Sequence, residues 1–269
     1  MDTARLAADR FPAHVEAWGA DGGAGRDDRP AGLVLICEHG SNALAIDRPD
    51  LGGDLGIDAA TRVSHAAWDI GALGLARGLA RRLAPATQGA VLVHAPLSRL
   101  VYDLNRAPDH PGAMPARSEV YDIPGNRDLT AAQRLARTQA VCLPFHATLH
   151  AEIAQLVALG RRPALIAVHS FTPVYFGARR SVEFGVIPDE DPRLSLAVMD
   201  AARGCGLDTR LNEPYAAAGE VTHTIRLHAV PMRLANTMIE VRNDLIATPA
   251  AQEAMADRLA PVLARALAG

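Results

Sequence analysis

Three apolar runs of this chain end in histidine, and no other feature of the sequence limits the fold as strongly. They cover residues 33–39, 90–94 and 165–169, and they end in His39, His94 and His169. Each run is typical of a strand buried in a parallel or mixed sheet. Open α/β sheets bind ligands beyond the carboxyl ends of their strands. The pattern therefore predicts imidazoles at one edge of a sheet, in a position suited to a metal ion.

Helical patterns alternate with the strand patterns over most of the chain. Helices are predicted at residues 68–83, 130–160, 193–203 and 250–267, and further strands at residues 183–187 and 237–241. Thr130 and Gln133 form a capping-box pattern, and Pro144 should kink or divide the helix that they open. This alternation predicts a three-layer α/β/α sandwich with a central mixed, largely parallel sheet. We expect an N-terminal segment and loop over residues 1–32 and a single domain over residues 33–269.

Composition excludes several classes of function. The formal net charge is −3 and no basic run alternates with aromatic residues, which argues against a nucleic-acid partner. All 27 basic residues are arginine, so Schiff-base catalysis, a P-loop and a lysine-assisted cysteine amidase lack the amine they need. The three cysteines lie far apart, and neither a leader pattern nor a long apolar stretch occurs. We expect a cytoplasmic protein that does not associate with membranes.

A metal centre needs a third ligand beside His39 and His169, since catalytic zinc takes three protein ligands and one open position. His65, near the start of the first long helix, and His94 both qualify. His146 and His150 form an HxxxH pair on a predicted helix. Ala147 stands where a zinc-binding HExxH helix carries its glutamate, so we interpret that pair as structural.

A buried glutamate is the best candidate for a general base. Glu240 lies within the apolar strand 237–241, where a carboxylate is costly unless it is paired or used in catalysis. Arg242 lies two residues further along the same strand face, so a salt bridge is the alternative. Glu38 and Glu213 are weaker candidates for the base.

Arginines in turn-rich segments point to an anionic substrate, because guanidinium groups bind carboxylates in bidentate fashion. Arg106 and Arg242 lie among asparagine and aspartate, and the other candidates are Arg99, Arg127 and Arg180.

Seven segments taken together resemble the N-formylglutamate amidohydrolase family. In order along residues 33–246, they are CEHGSN, SHAAWDIGA, SRLVYDLNRAPD, IPGNRDL, VHSFTPVYFG, NEPY and IEVRNDLI. The resemblance implies a mixed sheet flanked by helices, similar to that of zinc-dependent exopeptidases and amidases. The segments CEHGSN and IEVRNDLI place the chain in a broader branch than the enzyme of histidine degradation.

The resemblance also implies roles for individual residues. His39 and His169 would bind one zinc ion per chain, with His65 favoured over His94 as third ligand, and Glu240 would be the general base. Arg106, with Asn105 nearby, would hold a substrate carboxylate, and Arg127, Arg180 and Arg242 are further candidates for substrate binding. His228 would polarise the substrate carbonyl or stabilise the oxyanion, unless it only packs between helices.

These observations predict a zinc-dependent amidohydrolase that removes a formyl or small acyl group from an acidic amino acid. The best candidate substrate is N-formylglutamate, giving formate and glutamate. The alternatives are a metallo-amidase or carboxypeptidase acting on other N-acyl amino acids or peptides, and a non-catalytic metal- or anion-binding protein. A thiol or serine hydrolase built on Cys37 or Ser41 is less favoured, because the chain has no GxSxG elbow.

Overall fold

A seven-stranded mixed sheet forms the centre of the molecule. The structure is a computed structural model that describes residues 10–25, 31–216 and 220–269. The strands are β1 His14–Trp18, β2 Leu33–Cys37, β3 Ala90–His94, β4 Arg117–Ser118, β5 Tyr121–Asp122, β6 Ala164–Phe171, β7 Val174–Tyr175, β8 Ala178–Arg179, β9 Phe184–Ile187, β10 Thr209–Leu211 and β11 Asn236–Arg242.

The order of strands in the central sheet is β1-β3-β2-β6-β11-β9-β10. Four of them, β3, β2, β6 and β11, are mutually parallel, while β1 runs antiparallel to β3 and β9 antiparallel to β11. Strands β4–β5 and β7–β8 form two separate hairpins.

Helices cover both faces of the sheet, which confirms the predicted three-layer α/β/α sandwich. The helices are α1 Ala59–Val63, α2 Ala72–Thr87, α3 Ala131–Arg137, α4 Leu143–Ala158, α5 Arg193–Ala201, α6 His223–His228 and α7 Pro249–Ala268. Helices α2, α5 and α7 pack on one face against Leu33 and Leu35, and α4 and α6 pack on the other against Val34 and Ile36. Because successive side chains of a strand point to opposite faces, β2 contributes to both cores.

The sheet begins earlier in the chain than the sequence pattern indicates. Strand β1 pairs along its whole length with β3, so part of the predicted N-terminal segment belongs to the central sheet. Its alternation is short and places Val15 at an exposed edge position, which leaves little apolar signal. Residues 1–9 and 26–30 of that segment lie outside the described residues.

The predicted long helix is divided near Pro144. Thr130 and Gln133 form the expected capping box, and α3 ends at Arg137. A π-helical turn, Thr138–Cys142, follows before α4 begins, with Pro144 in its first turn. Proline lacks a backbone N–H, and the wider turn accommodates the missing helical hydrogen bond.

The first long helix begins four residues later than predicted. Gly71 precedes α2 with φ of 81°, a left-handed conformation that favours glycine. The segment before it is therefore a loop that carries Asp69 toward the sheet edge. Among the described helices, none is long and apolar enough to cross a membrane.

Candidate metal centre

Two histidines and an aspartate converge at the carboxyl edge of the sheet. His39 follows β2 and His169 lies in the neighbouring strand β6, as the strand-end argument predicts. Asp69 comes from the loop before α2, and its backbone N–H donates to the carbonyl of His39 at 2.9 Å. One potential ligand atom from each side chain lies within 4.8 Å of the other two, and all three residues are buried.

Both imidazoles present the same nitrogen to this centre. The Nε2 atom of His39 lies 2.8 Å from Oδ1 of Asp103, and Nε2 of His169 lies 3.2 Å from Oε2 of Glu38. A carboxylate beside one ring nitrogen holds the proton there and leaves the other nitrogen available as a ligand. The Nδ1 atoms of His39 and His169 lie 3.4 and 2.8 Å from Oδ2 of Asp69.

This donor set suits a zinc ion. Nδ1 of His39 is buried without a hydrogen-bond partner, and it faces a second imidazole nitrogen and a carboxylate oxygen. Two nitrogens and one oxygen are a common protein set for catalytic zinc, and they leave a fourth position open.

Buried carboxylates outnumber the guanidinium groups around the centre. Burial opposes the ionised form of Asp69, yet His39 and His169 hold its pKa below the ordinary range. Burial likewise opposes ionised Glu38, but His169 lowers the pKa of Glu38 to about 2. Arg99 contacts Oδ2 of Asp103 at 2.6 Å and Oδ1 of Asp69 at 3.4 Å. The excess of carboxylates favours a bound cation.

Glu240 lies opposite His169 on the neighbouring strand β11. Its Oε2 atom is buried without a hydrogen-bond partner, and burial raises the pKa of Glu240 to about 7. The alternative salt bridge does not form, because Arg242 contacts Asp244 at 2.8 Å and Glu183 at 3.5 Å. An unpaired buried carboxylate whose pKa lies near neutrality is suited to proton transfer.

A cavity of about 160 Å³ opens beside these groups. His39, Asp69, His169 and Glu240 lie on its inner wall. The outer part is formed by residues from several loops, among them His65, Arg99, Asn105, Arg106, Ser118, Thr172, Tyr175 and Tyr215.

The third member of the converging group is Asp69. The sequence analysis had favoured His65, over His94, as the third metal ligand. His65 lines the cavity, but its Nε2 atom lies 2.7 Å from Oε2 of Glu119. His94 ends β3 with its Nε2 atom 3.0 Å from Oε1 of Glu16, and it is not among the described residues that line the cavity. The sequence does carry a sign of Asp69: it is an acidic residue between apolar neighbours, two positions before Gly71, which ends the loop.

Of the arginines predicted to bind substrate, Arg106 lines the cavity, whereas Arg180 and Arg242 are not among the described residues of its wall. One of the terminal nitrogens of Arg106 donates to the carbonyls of Asn105 and Glu220. Arg180 lies behind the aromatic wall, with its guanidinium 4.3 Å from the ring centre of Tyr175. Arg242 is held by the acidic neighbours described above.

Two other predicted substrate-binding residues have different surroundings. Arg127 is exposed and lies 3.6 Å from Asp122, and it is not among the described residues that line the cavity. Asn105 lines the cavity, but its side-chain amide donates to the carbonyl of Val221 and accepts from the N–H of Thr224. Asn105 therefore fixes the loop before α6 to the cavity wall.

His228 also lies apart from the described cavity lining. Its ring stacks on His146, with Nε2 of His228 3.0 Å from Nδ1 of His146. Burial lowers the pKa of His146 to about 4 and that of His228 to about 3. The HxxxH histidine His146 thus takes part in the packing of α4 against α6, while His150 is exposed.

The fold is a three-layer α/β/α sandwich, and its cluster of buried polar groups at the carboxyl edge of the sheet is typical of an enzyme active site. The chain belongs to the N-formylglutamate amidohydrolase family, whose model matches residues 31–247.

Solved structures are similar to this chain over nearly its whole length. A gene product of Agrobacterium tumefaciens shares 44% identity over 97% of both chains, with a TM-score of 0.86. N-formylglutamate amidohydrolase from Ralstonia eutropha shares 16% identity over 96% of this chain and 97% of its own, with a TM-score of 0.62, which indicates a common fold. An aspartoacylase family protein of Mesorhizobium loti aligns with 92% of this chain and 68% of its own length at 16% identity, with a TM-score of 0.32. A search of curated proteins found no match.

We predict that Asp69→Ala abolishes tight zinc binding, because it removes one of three converging ligand atoms. The affinity should fall by more than the roughly 100-fold that loss of an outer partner can cause. Titration with zinc against a chromophoric chelator measures this change. His65→Gln and His94→Gln are the matched controls and should bind zinc within about tenfold of the wild type. Loss of zinc from His65→Gln together with retention by Asp69→Ala would restore the ligand set predicted from sequence.

We also predict that His228 makes the fold sensitive to acid. Its pKa is lower in the folded protein than the ordinary value near 6.5, so the stabilisation is complete above about pH 6.5 and is lost as the pH falls toward 3. Between pH 7 and 4, the wild type should lose on the order of 2 kcal/mol more unfolding free energy than His228→Leu. Urea unfolding of metal-free protein at each pH measures the difference. Leu143→Ala, at an exposed position on α4, is the control and should follow the wild type, and a parallel loss in His228→Leu would contradict the prediction.

Proposed function

We propose that this protein is a zinc-dependent amidohydrolase that removes a formyl or other small acyl group from the nitrogen of an acidic amino acid, with N-formylglutamate as the preferred substrate. The observation that carries the proposal is the unpartnered carboxylate of Glu240 beside His39, Asp69 and His169 in one small cavity. Membership of the N-formylglutamate amidohydrolase family supports the same reaction.

His39, Asp69 and His169 would hold the ion through Nδ1, Oδ2 and Nδ1. Zinc bound there supplies Lewis acidity toward the substrate carbonyl and the attacking water. Asp103 and Glu38 keep the two imidazoles oriented from behind. Arg99 holds Asp103 and Asp69 in place by contacting both carboxylates.

Glu240 moves the proton. Pairing of β11 with β6 fixes its side chain on the same face of the sheet as His169. With its pKa raised to about 7 by burial, the carboxylate can take a proton from the attacking water and deliver it to the leaving nitrogen. Amide cleavage needs this transfer, because without a proton the nitrogen would have to leave as an amide anion, which is a poor leaving group.

The outer part of the cavity provides for the carboxylates of the substrate. Arg106 supplies positive charge there, and its second terminal nitrogen makes no hydrogen bond within the described residues. Arg180 donates to the phenolic oxygen of Tyr215 at 3.1 Å, which leaves the phenol proton for an incoming oxygen. Drug-sized ligands occupy pockets of roughly 300–1,000 Å³, so this cavity of about 160 Å³ suits a smaller molecule.

Glu240→Gln should retain zinc and lose turnover, because the amide cannot accept the proton. General acid–base catalysis contributes roughly 10²- to 10⁴-fold, and we expect kcat for N-formylglutamate to fall within that range. Release of formate is the measurement, with zinc analysis of the same preparation. Glu213→Gln, at an exposed glutamate, is the control and should keep wild-type kcat. Equal turnover by Glu240→Gln and the wild type would remove Glu240 from the mechanism.

The choice of substrate is tested with N-formylglutamate and N-formylglutamine, which differ little except in charge. A hydrogen bond to a charged group contributes about 1.5–3 kcal/mol, so kcat/KM for the neutral compound should be about 10- to 100-fold lower. In Arg106→Gln, the ratio of kcat/KM for N-formylglutamate to that for N-formylglutamine should fall toward one.

Three outcomes favour other functions. Equal rates on both compounds would contradict an anionic substrate. Faster cleavage of acylated dipeptides would favour a carboxypeptidase. Stoichiometric zinc without hydrolysis of any acyl amino acid would favour a binding protein.

A further inference from the structure

Two hairpins and the loop after α1 meet at the mouth of the cavity. Ser118 of the β4–β5 hairpin and Tyr175 of the β7–β8 hairpin line the cavity together with His65 of the loop. The next residue of each hairpin, Glu119 and Phe176, lies at the tip of its turn. The two tips therefore stand directly beside the entrance to the metal centre.

Glu119 connects all three segments. Its Oε2 atom lies 2.7 Å from Nε2 of His65, and its Oε1 accepts the backbone N–H of Phe176 at 2.6 Å. Although Glu119 occupies a hairpin turn, its side chain is only 8% exposed. The carboxylate of Glu119 thus links the loop after α1 to the β7–β8 hairpin across the entrance, and we call this pair of contacts the Glu119 bridge.

Both turn tips have a backbone conformation that their residue types disfavour. Glu119 has φ of 51° and Phe176 has φ of 46°, in the left-handed region where glycine is favoured. The side chain of Phe176 is 66% exposed, so burial of the ring does not explain its conformation. Two-residue hairpin turns take a positive φ at their first central residue, and here these positions carry a glutamate and a phenylalanine in place of glycine or asparagine. Backbone strain of this kind is found at ligand clamps.

We infer that Glu119 determines substrate specificity by limiting the cavity to a single N-acylated amino acid. The inference rests on the proposed function, which it deepens. With the bridge in place the cavity measures about 160 Å³. A peptide that extended past Ser118 or Tyr175 would have to break both hydrogen bonds of a buried carboxylate, and a free amino acid derivative would not.

The test replaces the bridge without adding backbone strain. Glu119→Gly removes the carboxylate at a position whose φ suits glycine, so the hairpin itself should form normally. We expect the ratio of kcat/KM for N-formylglutamylalanine to that for N-formylglutamate to rise at least tenfold in Glu119→Gly, mainly through KM, with zinc content unchanged. Val120→Ala alters the other, exposed residue of the same turn and should leave the ratio at the wild-type value.

Hydrogen exchange gives a readout that does not depend on activity. Peptides covering residues 117–122 and 174–179 should exchange at least tenfold faster in Glu119→Gly than in the wild type or Val120→Ala. Glu119→Gln keeps an acceptor for the N–H of Phe176 and should fall between them.

The outcomes separate the claims. Unchanged exchange in Glu119→Gly would overturn the bridge itself. Faster exchange with an unchanged substrate ratio would overturn the specificity role. If the wild type hydrolyses no acyl amino acid, the proposed function fails and the specificity role fails with it, whereas the exchange result still decides whether the bridge exists.

Discussion

The alignment of β2, β6 and β11 at a common carboxyl edge is the constraint on which the site depends. His39 follows the first of these strands, and His169 lies opposite Glu240 on the other two. Ladder hydrogen bonds fix that register, and a slip of one residue would turn a side chain to the other face of the sheet. The sheet thus fixes the position of Glu240 relative to His169, and the loops contribute Asp69 and the outer wall of the cavity.

The cost of this arrangement is a set of charges removed from water. Glu38, Asp69, Asp103 and Glu240 are all buried, and isolated buried carboxylates are strongly destabilising. Three of them lie within 3.4 Å of an imidazole nitrogen, whereas Glu240 makes no ion pair among the described residues. The paired carboxylates orient the imidazoles of His39 and His169, while burial raises the pKa of the unpaired Glu240 to about 7. Burial therefore produces different chemistry at Glu240 and at Glu38 because their neighbours differ.

Much of the fold followed from local pattern. The buried strands, the capping box at Thr130 and the division of the helix at Pro144 depend on residues close together in sequence, and the structure confirms them. The edge strand β1 was missed because its pairing with β3 depends on residues more than 70 positions away.

The site was predictable only where the sheet defines it. His39, His169 and Glu240 lie on or directly after strands, so periodicity places them on one edge. Asp69, the packing of His228 on His146 and the surroundings of Arg127 and Arg242 depend on how loops and helices return to the sheet. Spacing along the chain carries no information about those contacts, so His65, in the same segment as Asp69, was favoured in its place.

The use of Nδ1 by both histidines has a geometric consequence. Nδ1 of histidine and Oδ2 of aspartate are each three bonds from Cα, so the three converging atoms stand at equal covalent reach from the main chain. The position between them is therefore fixed by the backbone of three segments, the turn after β2, strand β6 and the loop before α2, with two side-chain torsion angles for each residue. A glutamate at position 69 would carry the same charge and the same oxygens, but one extra methylene would displace that corner of the triangle. Side-chain length is thus as specific a requirement at this centre as ligand chemistry.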